Sequence, residues 1–308
     1  MITPQLTSIP DEDICLVRTH VEKLVGVSDR PLHAYALKLL GNMVHPNWGV
    51  EWCLPRWLGS RLAIPELVQR DFLLANTLGL AYVRLYDDRI DREISREHLQ
   101  SSQRLEDVFF NEAKRLLGRV FDERSNFWVH FHDYIHRWQS AGVPDAKSPP
   151  LESSELDKLA DAGAPLYIVC AAAYALNPSF MPLEKIIQPV RSYLAAAVLY
   201  DHIKDWYSDL LAHRQNIFIQ TMSGGEIDAD DVDRLAIRVR MEFINQDRIR
   251  LYNKQICELL GRAAVSAQAA GLTQFAQHLI ALEAEARSSG ERTLRGVREI
   301  VGSAVVPG

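Results

Sequence analysis

Two groups of aspartates, far apart in the chain, each sit on an otherwise apolar helical stretch. The first is Asp87-Asp88-Arg89-Ile90-Asp91, and the second is Asp201, Asp205 and Asp209 at intervals of four. Residues i and i+4 share one face of a helix, so each group presents its carboxylates in a line. Like charges at that spacing repel, and burying them without partners is costly. The first group also falls at a helix C-terminus, where negative charge opposes the macrodipole. Divalent cations between the two lines would turn repulsion into binding. Mg²⁺ takes oxygen ligands in near-octahedral geometry and commonly combines carboxylates with water and substrate phosphates. Lys204 lies one turn from Asp201, and Arg214 follows Asp209, so the second group suits a Mg²⁺–diphosphate complex. Either group alone also reads as a solvated helix face; the two together point to chemistry.

The helices that must position these groups carry a further pattern. The face of Asp87 and Asp91 extends backwards through Val83, Leu80, Asn76 and Phe72, with Arg84 beside it, so a charged rim passes into an apolar floor. The face of the second group continues upstream through Ala197 and Tyr193 or Leu194, and the small residues 195–197 leave room for something bulky. Periodicity predicts helices from Asp11 to about Val27, from Pro31 through Met43 and from Pro65 into the first group. It predicts others over roughly 96–121, 123–140, 153–176, 190–213, 228–269, 272–289 and 291–300. No stretch alternates with period two between turn signals, so no sheet is expected. The loops at 45–48, 142–150, 177–182 and 223–225 are too short for interdomain linkers. A single all-α domain over 31–300 is expected, after an N-terminal segment and first helix (1–30) and before a tail (301–308).

Bulk composition narrows the function classes. The 308 residues are 47% apolar and 24% charged with a net charge of −6, enough for a sizeable core. No basic block stands out, which argues against a nucleic-acid partner. Cys15, Cys53, Cys170 and Cys257 are scattered without CxxC or zinc spacing, as in a reduced, cytoplasmic protein. The N-terminus lacks a basic region followed by an apolar run, so no signal peptide is expected. Charges interrupt every apolar stretch before about 18 residues, so no integral membrane segment is expected. Two patterns mislead. Asp228-Ala229-Asp230-Asp231 spells DxDD, but follows Gly224-Gly225 where clustered Asp would cap a helix start. His130, His132 and His136 suggest a metal site, but His130 and His132 cannot share a helical face.

Taken with their spacing, the two aspartate motifs resemble those of the class I isoprenoid synthase superfamily, which includes terpene cyclases, trans-prenyl diphosphate synthases and squalene or phytoene synthases. The resemblance spans roughly residues 30–300 and implies a helical bundle around a deep apolar cavity, with the Asp-rich helices facing each other across its mouth. The first motif matches DDxxD in full. The second has the i, i+4, i+8 spacing of the cyclase NSE motif, with Asp201, Asp205 and Asp209 in place of Asn, Ser/Thr and Glu. Its all-Asp form also resembles the DxxxD of prenyltransferases.

The resemblance implies three Mg²⁺ ions, a pair held by Asp87 and Asp91 with Asp88 near, and a third held by Asp201, Asp205 and Asp209. Asp87, Asp91 and Asp205 would be the groups on which turnover depends. It implies Lys204, Arg214 and one or both of Arg292 and Arg295 as diphosphate donors, and Phe72, Val83, Tyr193 and Ala197 as wall residues. Pro165 cannot donate to the carbonyl of Asp161, which should break the helix there and free backbone oxygens. By analogy Lys158, Asp161 and Ala162 would take the diphosphate-sensor, linker and effector places, with Lys where cyclases carry Arg. Residues 41–62 lack the Gly-Gly-Lys-Arg site of elongating synthases, and Gly163-Ala164 stand where those enzymes usually carry Lys-Thr. Both absences favour a terpene cyclase acting on a farnesyl- or geranylgeranyl-class diphosphate. An elongating or head-to-head prenyltransferase is the alternative, and a homodimer is the expected assembly.

Overall fold

Two long helices carry the aspartate groups, and the other elements pack around them. The computed structural model describes residues 8–26, 29–45, 48–91, 93–95, 97–224 and 231–304, with side chains described up to residue 296. In chain order the helices are α1 Asp11–Val25, α2 Arg30–Met43, α3 Gly49–Arg61, α4 Glu66–Ile90, α5 Leu99–Leu117, α6 Phe127–Gln139 and α7 Ser153–Asp161. There follow α8 Tyr167–Leu176, α9 Leu183–Leu211, α10 Ile217–Ser223, α11 Val232–Asn245, α12 Asp247–Ala269 and α13 Thr273–Ala304. No strand occurs among the described residues. Asp228 and Asp230 lie outside them, while Asp231 caps α11 by accepting from the Arg234 N–H at 3.0 Å.

Helix α4 starts directly after Pro65, whose missing N–H costs nothing at a helix entrance. It packs along α5 on one side and α3 on the other. Helix α9 begins at Leu183, earlier than the sequence pattern suggested, and carries Pro189 within it. It packs against α12, α7 and α10. The expected break is present: α7 and α8 are bent by 77°, and a single 3₁₀ turn, Ala164–Leu166, joins them. Gly163 lies at the bend, where an added Cβ would come within 2.5 Å of the Leu194 side chain, so the turn sits tightly against α9.

Three expectations need correction. Helix α3 had no counterpart in the sequence reading, because nine of its residues, Gly49 to Gly59, are buried and no polar stripe marks a period. The stretch from 228 to 269 divides at Gln246, which takes a left-handed conformation at φ 66°. Residues 273–304 form one helix; Gly290 does not interrupt it and lies against Asn253 of α12. The helix also covers 301–304, while 305–308 lie outside the described residues. Buried apolar side chains from α1 to α13 form one continuous core. No single helix among the described residues is long and apolar enough to cross a membrane, and the four cysteines are unbridged.

Candidate active site

The last turn of α4 places Asp87 partly inside the protein, beside Trp138 at the end of α6, which hydrogen-bonds its carboxyl. Burial first, and the Asp91 charge second, push the Asp87 carboxyl up to about 7; Trp138 and Arg84 only partly offset this. Asp88 is raised mainly by burial and is held by Arg84 Nε at 2.8 Å. Asp91 caps the helix and is exposed.

On α9, Asp201 is open to solvent on one side. The protein behind it, then Asp205 and Asp209, raise its carboxyl, while Lys204 and Arg84 act the other way. Asp205 has Lys204 Nζ at 3.9 Å. Asp209 is more enclosed, accepting from Asn216 Nδ2 at 2.7 Å with Arg214 Nη1 at 3.5 Å.

The two groups are linked. Arg84 of α4 bridges Asp88 and Glu93, and its charge reaches Asp201 on α9. Arg214, just past α9, pairs with Glu93 at 2.6 Å as well as with Asp209. An Arg84–Glu93–Arg214 chain therefore spans from the end of one Asp-rich helix to the end of the other. Glu93 was not singled out from the sequence; its place two residues beyond DDxxD was the available signal.

Among the described residues, no three His, Cys, Asp or Glu side chains converge into a ready cage, and that includes His130, His132 and His136. Hard carboxylate oxygens in two lines, left with like charge for neighbours, fit Mg²⁺, which completes its shell with water and phosphate oxygens. They do not fit a closed structural metal site.

At the bend, Asp161 is half-buried, and burial raises its carboxyl against the pull of Arg137 and Arg191. Lys158 and Ala162 are exposed. Arg191 donates to Glu184 at 2.7 Å, and its charge reaches both Asp161 and the Tyr167 hydroxyl. The cations acting on the bend thus come from α6 and α9, and Lys158 is not among the main ones. Arg191 escaped notice because it lies ten residues before the Asp201 motif, one turn outside the stretch read for small residues.

Of the two expected C-terminal donors, one is paired on its own helix. Arg292 turns back on its own helix, to Ser288 Oγ at 2.6 Å and Glu285 at 3.0 Å, and Arg295 is exposed.

Below the first motif, α4, α5, α6 and the bend enclose an apolar cavity of about 30 Å³, with Phe72, Asn76, Leu80, Tyr82, Phe110 and Pro165 in its walls. Phe72 is where the sequence put it. Val83 and Ala197 instead pack half-buried against the core, and Tyr193 is buried behind the Asn76 wall, where its hydroxyl meets Glu51 of α3. Tyr82, Tyr86, Phe110 and Trp138 form an aromatic group over its upper end, with Tyr82 and Phe110 centroids 4.7 Å apart. A bulky apolar ligand entering here must displace side chains.

No protein-family model matches this chain, and no curated protein matches its sequence. Its fold does have solved counterparts. A geranylgeranyl pyrophosphate synthetase from the archaeon Geoglobus acetivorans superposes with a TM-score of 0.58 at 14% identity, over 89% of this chain and 99% of that one. A polyprenyl synthase from Caulobacter crescentus CB15, solved with calcium and isoprenyl diphosphate, superposes with a TM-score of 0.60 at 12% identity, over 88% and 95%. The chain has the all-α class I isoprenoid synthase fold, as the two motifs implied.

Proposed function

We propose that this protein is an enzyme acting on a prenyl diphosphate and, within that class, a Mg²⁺-dependent terpene cyclase, with residues 31–300 as its synthase domain. The observation that carries the reading is the pair of aspartate motifs at the ends of α4 and α9, joined through Arg84, Glu93 and Arg214 above an apolar interior. Asp87, Asp88 and Asp91 would hold one pair of Mg²⁺ ions, and Asp201, Asp205 and Asp209 a third. Bound there, Mg²⁺ supplies Lewis-acid stabilisation of a leaving diphosphate.

The remaining work belongs to the chain's own residues. Arg84, Lys204 and Arg214, released from the carboxylates they now pair with, donate charge-assisted hydrogen bonds to diphosphate oxygens. The walls of α4, α5 and α6 exclude water, and the Phe72, Tyr82 and Phe110 rings offer π faces to positive charge. The sharp bend at 161–166 supports cyclisation, because Pro165 cannot donate to the carbonyl of Asp161 and the helix breaks there. The cations of α3 support it too: Arg56 is committed to Glu12 and Asp13, and Arg61 to the Ala270 carbonyl and the Phe180 ring, so α3 offers no basic site for a second diphosphate.

Prenyl transfer is the second reading. The all-aspartate second motif favours it, and so do the names of the two solved counterparts. The same synthase reading carries a cytoplasmic location and a homodimer, which the protein's mass in solution tests. The deciding experiment is incubation with geranyl, farnesyl or geranylgeranyl diphosphate and Mg²⁺, with and without isopentenyl diphosphate. A hydrocarbon or alcohol formed from one allylic substrate alone is the expected result. A longer diphosphate appearing only with isopentenyl diphosphate would replace cyclisation with elongation.

A further inference from the structure

Helix α3, invisible in the sequence pattern, brings an acid into the interior between the two motif helices. Glu51 lies near its start. Its Oε1 accepts from the Tyr193 hydroxyl at 3.0 Å, and its backbone carbonyl accepts from Asn76 Nδ2 at 2.6 Å. Its other oxygen, Oε2, is buried with no hydrogen-bond partner.

Both neighbours belong to the faces that end in aspartates. Tyr193 precedes Asp201 by eight residues, which puts it on the same face of α9, ~12 Å down the helix. Asn76 precedes Asp87 by eleven residues, three turns and ~17 Å down the corresponding face of α4. Glu51 is therefore pinned between the two helices, beneath the rim of carboxylates and directly behind Asn76, which lines the apolar cavity. An acid kept only for packing would cost less as an amide or beside a cation, because an unpartnered buried oxygen carries its full desolvation penalty.

We propose that Glu51, positioned by Tyr193, is the proton acceptor at the floor of the site. The proposal rests on the prenyl diphosphate reading above. When a carbocation reaches the floor, a C–H bond next to the cationic carbon breaks and its electron pair becomes the new C=C bond. The proton passes to Glu51 Oε2, leaving a neutral carboxylic acid, while Tyr193 keeps its own proton and its hydrogen bond to Oε1. The Glu51 carboxyl is itself enclosed, so the proton leaves to water only when the site opens to release product.

The test uses full-length wild type, Glu51→Gln and Tyr193→Phe. Calorimetry with Mg²⁺ and inorganic diphosphate present measures binding of farnesyl dimethylamine, whose ammonium stands in for the cation. Loss of the carboxylate should weaken it about tenfold in Glu51→Gln. With a substrate diphosphate, Glu51→Gln should release diphosphate at the wild-type rate but shift product from alkene towards alcohol. Tyr193→Phe keeps the acid and should shift the products less, which also covers a failure of Glu51→Gln to fold. Equal amine affinity and unchanged products in both variants, with normal diphosphate release, would overturn the Glu51 role alone. No Mg²⁺-dependent diphosphate release by the wild type would overturn the prenyl diphosphate reading and this role with it.

Discussion

The protein encloses acids in two different ways. Asp13, 1% exposed, is gripped by Arg56 through two hydrogen bonds of 2.5 Å. Glu106 receives a bidentate pair from Arg89 at 2.9 and 3.0 Å. Glu112 is held by Arg115 and by His20 at 2.7 Å, and Arg115 keeps its carboxyl below the usual range. Each of these acids has a cation matched to it, and each joins one helix to another or to the next turn. Asp87, Asp201 and Glu51 are treated in the opposite way. Burial raises all three, and like charge adds to it at Asp87 and Asp201. The matched acids hold the bundle together. The unmatched ones cost stability, and that cost falls at the ends and floor of the two helices whose faces converge. Uncompensated charge of this kind marks a functional site more surely than acid content does.

Breaking each kind of acid should therefore give opposite results, beginning with the largest effect. Asp205→Ala should lower turnover about a thousandfold or more, ~4 kcal/mol of barrier, with little change in denaturation midpoint. Near-normal turnover would remove the second motif from the metal site. Arg56→Ala, which strands Asp13, should cost ~3–5 kcal/mol of stability, read from urea unfolding, and leave the site chemistry in place.

Glu51→Gln should instead stabilise the protein, and only at higher pH. An unfolded Glu51 titrates at its ordinary 4.5, whereas burial holds the folded group at about 7. Below the lower value both states are protonated and the group is neutral in its effect. Between the two the unfolded chain loses the proton first, so stability falls as pH rises, by an amount on the order of 3 kcal/mol above pH 7. Tyr193 and Cys53 face this group; both are raised by burial, Cys53 to about 12, and stay neutral in this window. Melting of wild type and variant should coincide near pH 4 and separate by pH 8; a constant difference would point to packing instead. The smallest effect is expected at Arg292→Ala. Its exposed pair with Glu285 should be worth less than ~1 kcal/mol, and turnover should hold. A large loss of turnover would bring Arg292 back to the mouth.

How far the sequence could be read follows from the same physics. The motif helices α4 and α9 announced themselves through charge on one face and apolar residues on the other. The bend at Pro165 was legible because a proline inside an apolar run removes a specific hydrogen bond. Helix α3 was not legible, because its few polar residues form no periodic stripe, and Glu51 vanished with it: a single acid in an unassigned stretch points nowhere until its neighbours are known. The cations were the weakest inference. Spacing put Arg292 and Arg295 on one side of a helix but could not say which way that side turned. Arg191 and Glu93 act on groups far away in sequence, Asp161 and Arg214, which no local pattern reveals.

The central claim is that the unmatched aspartates of α4 and α9 await cations and, through them, a diphosphate. Calorimetric titration of inorganic diphosphate into the protein, with and without Mg²⁺, tests it most directly. Binding that requires Mg²⁺ and disappears in both Asp87→Ala and Asp205→Ala is the predicted result. Diphosphate binding that is indifferent to Mg²⁺, or that survives both substitutions, would contradict it.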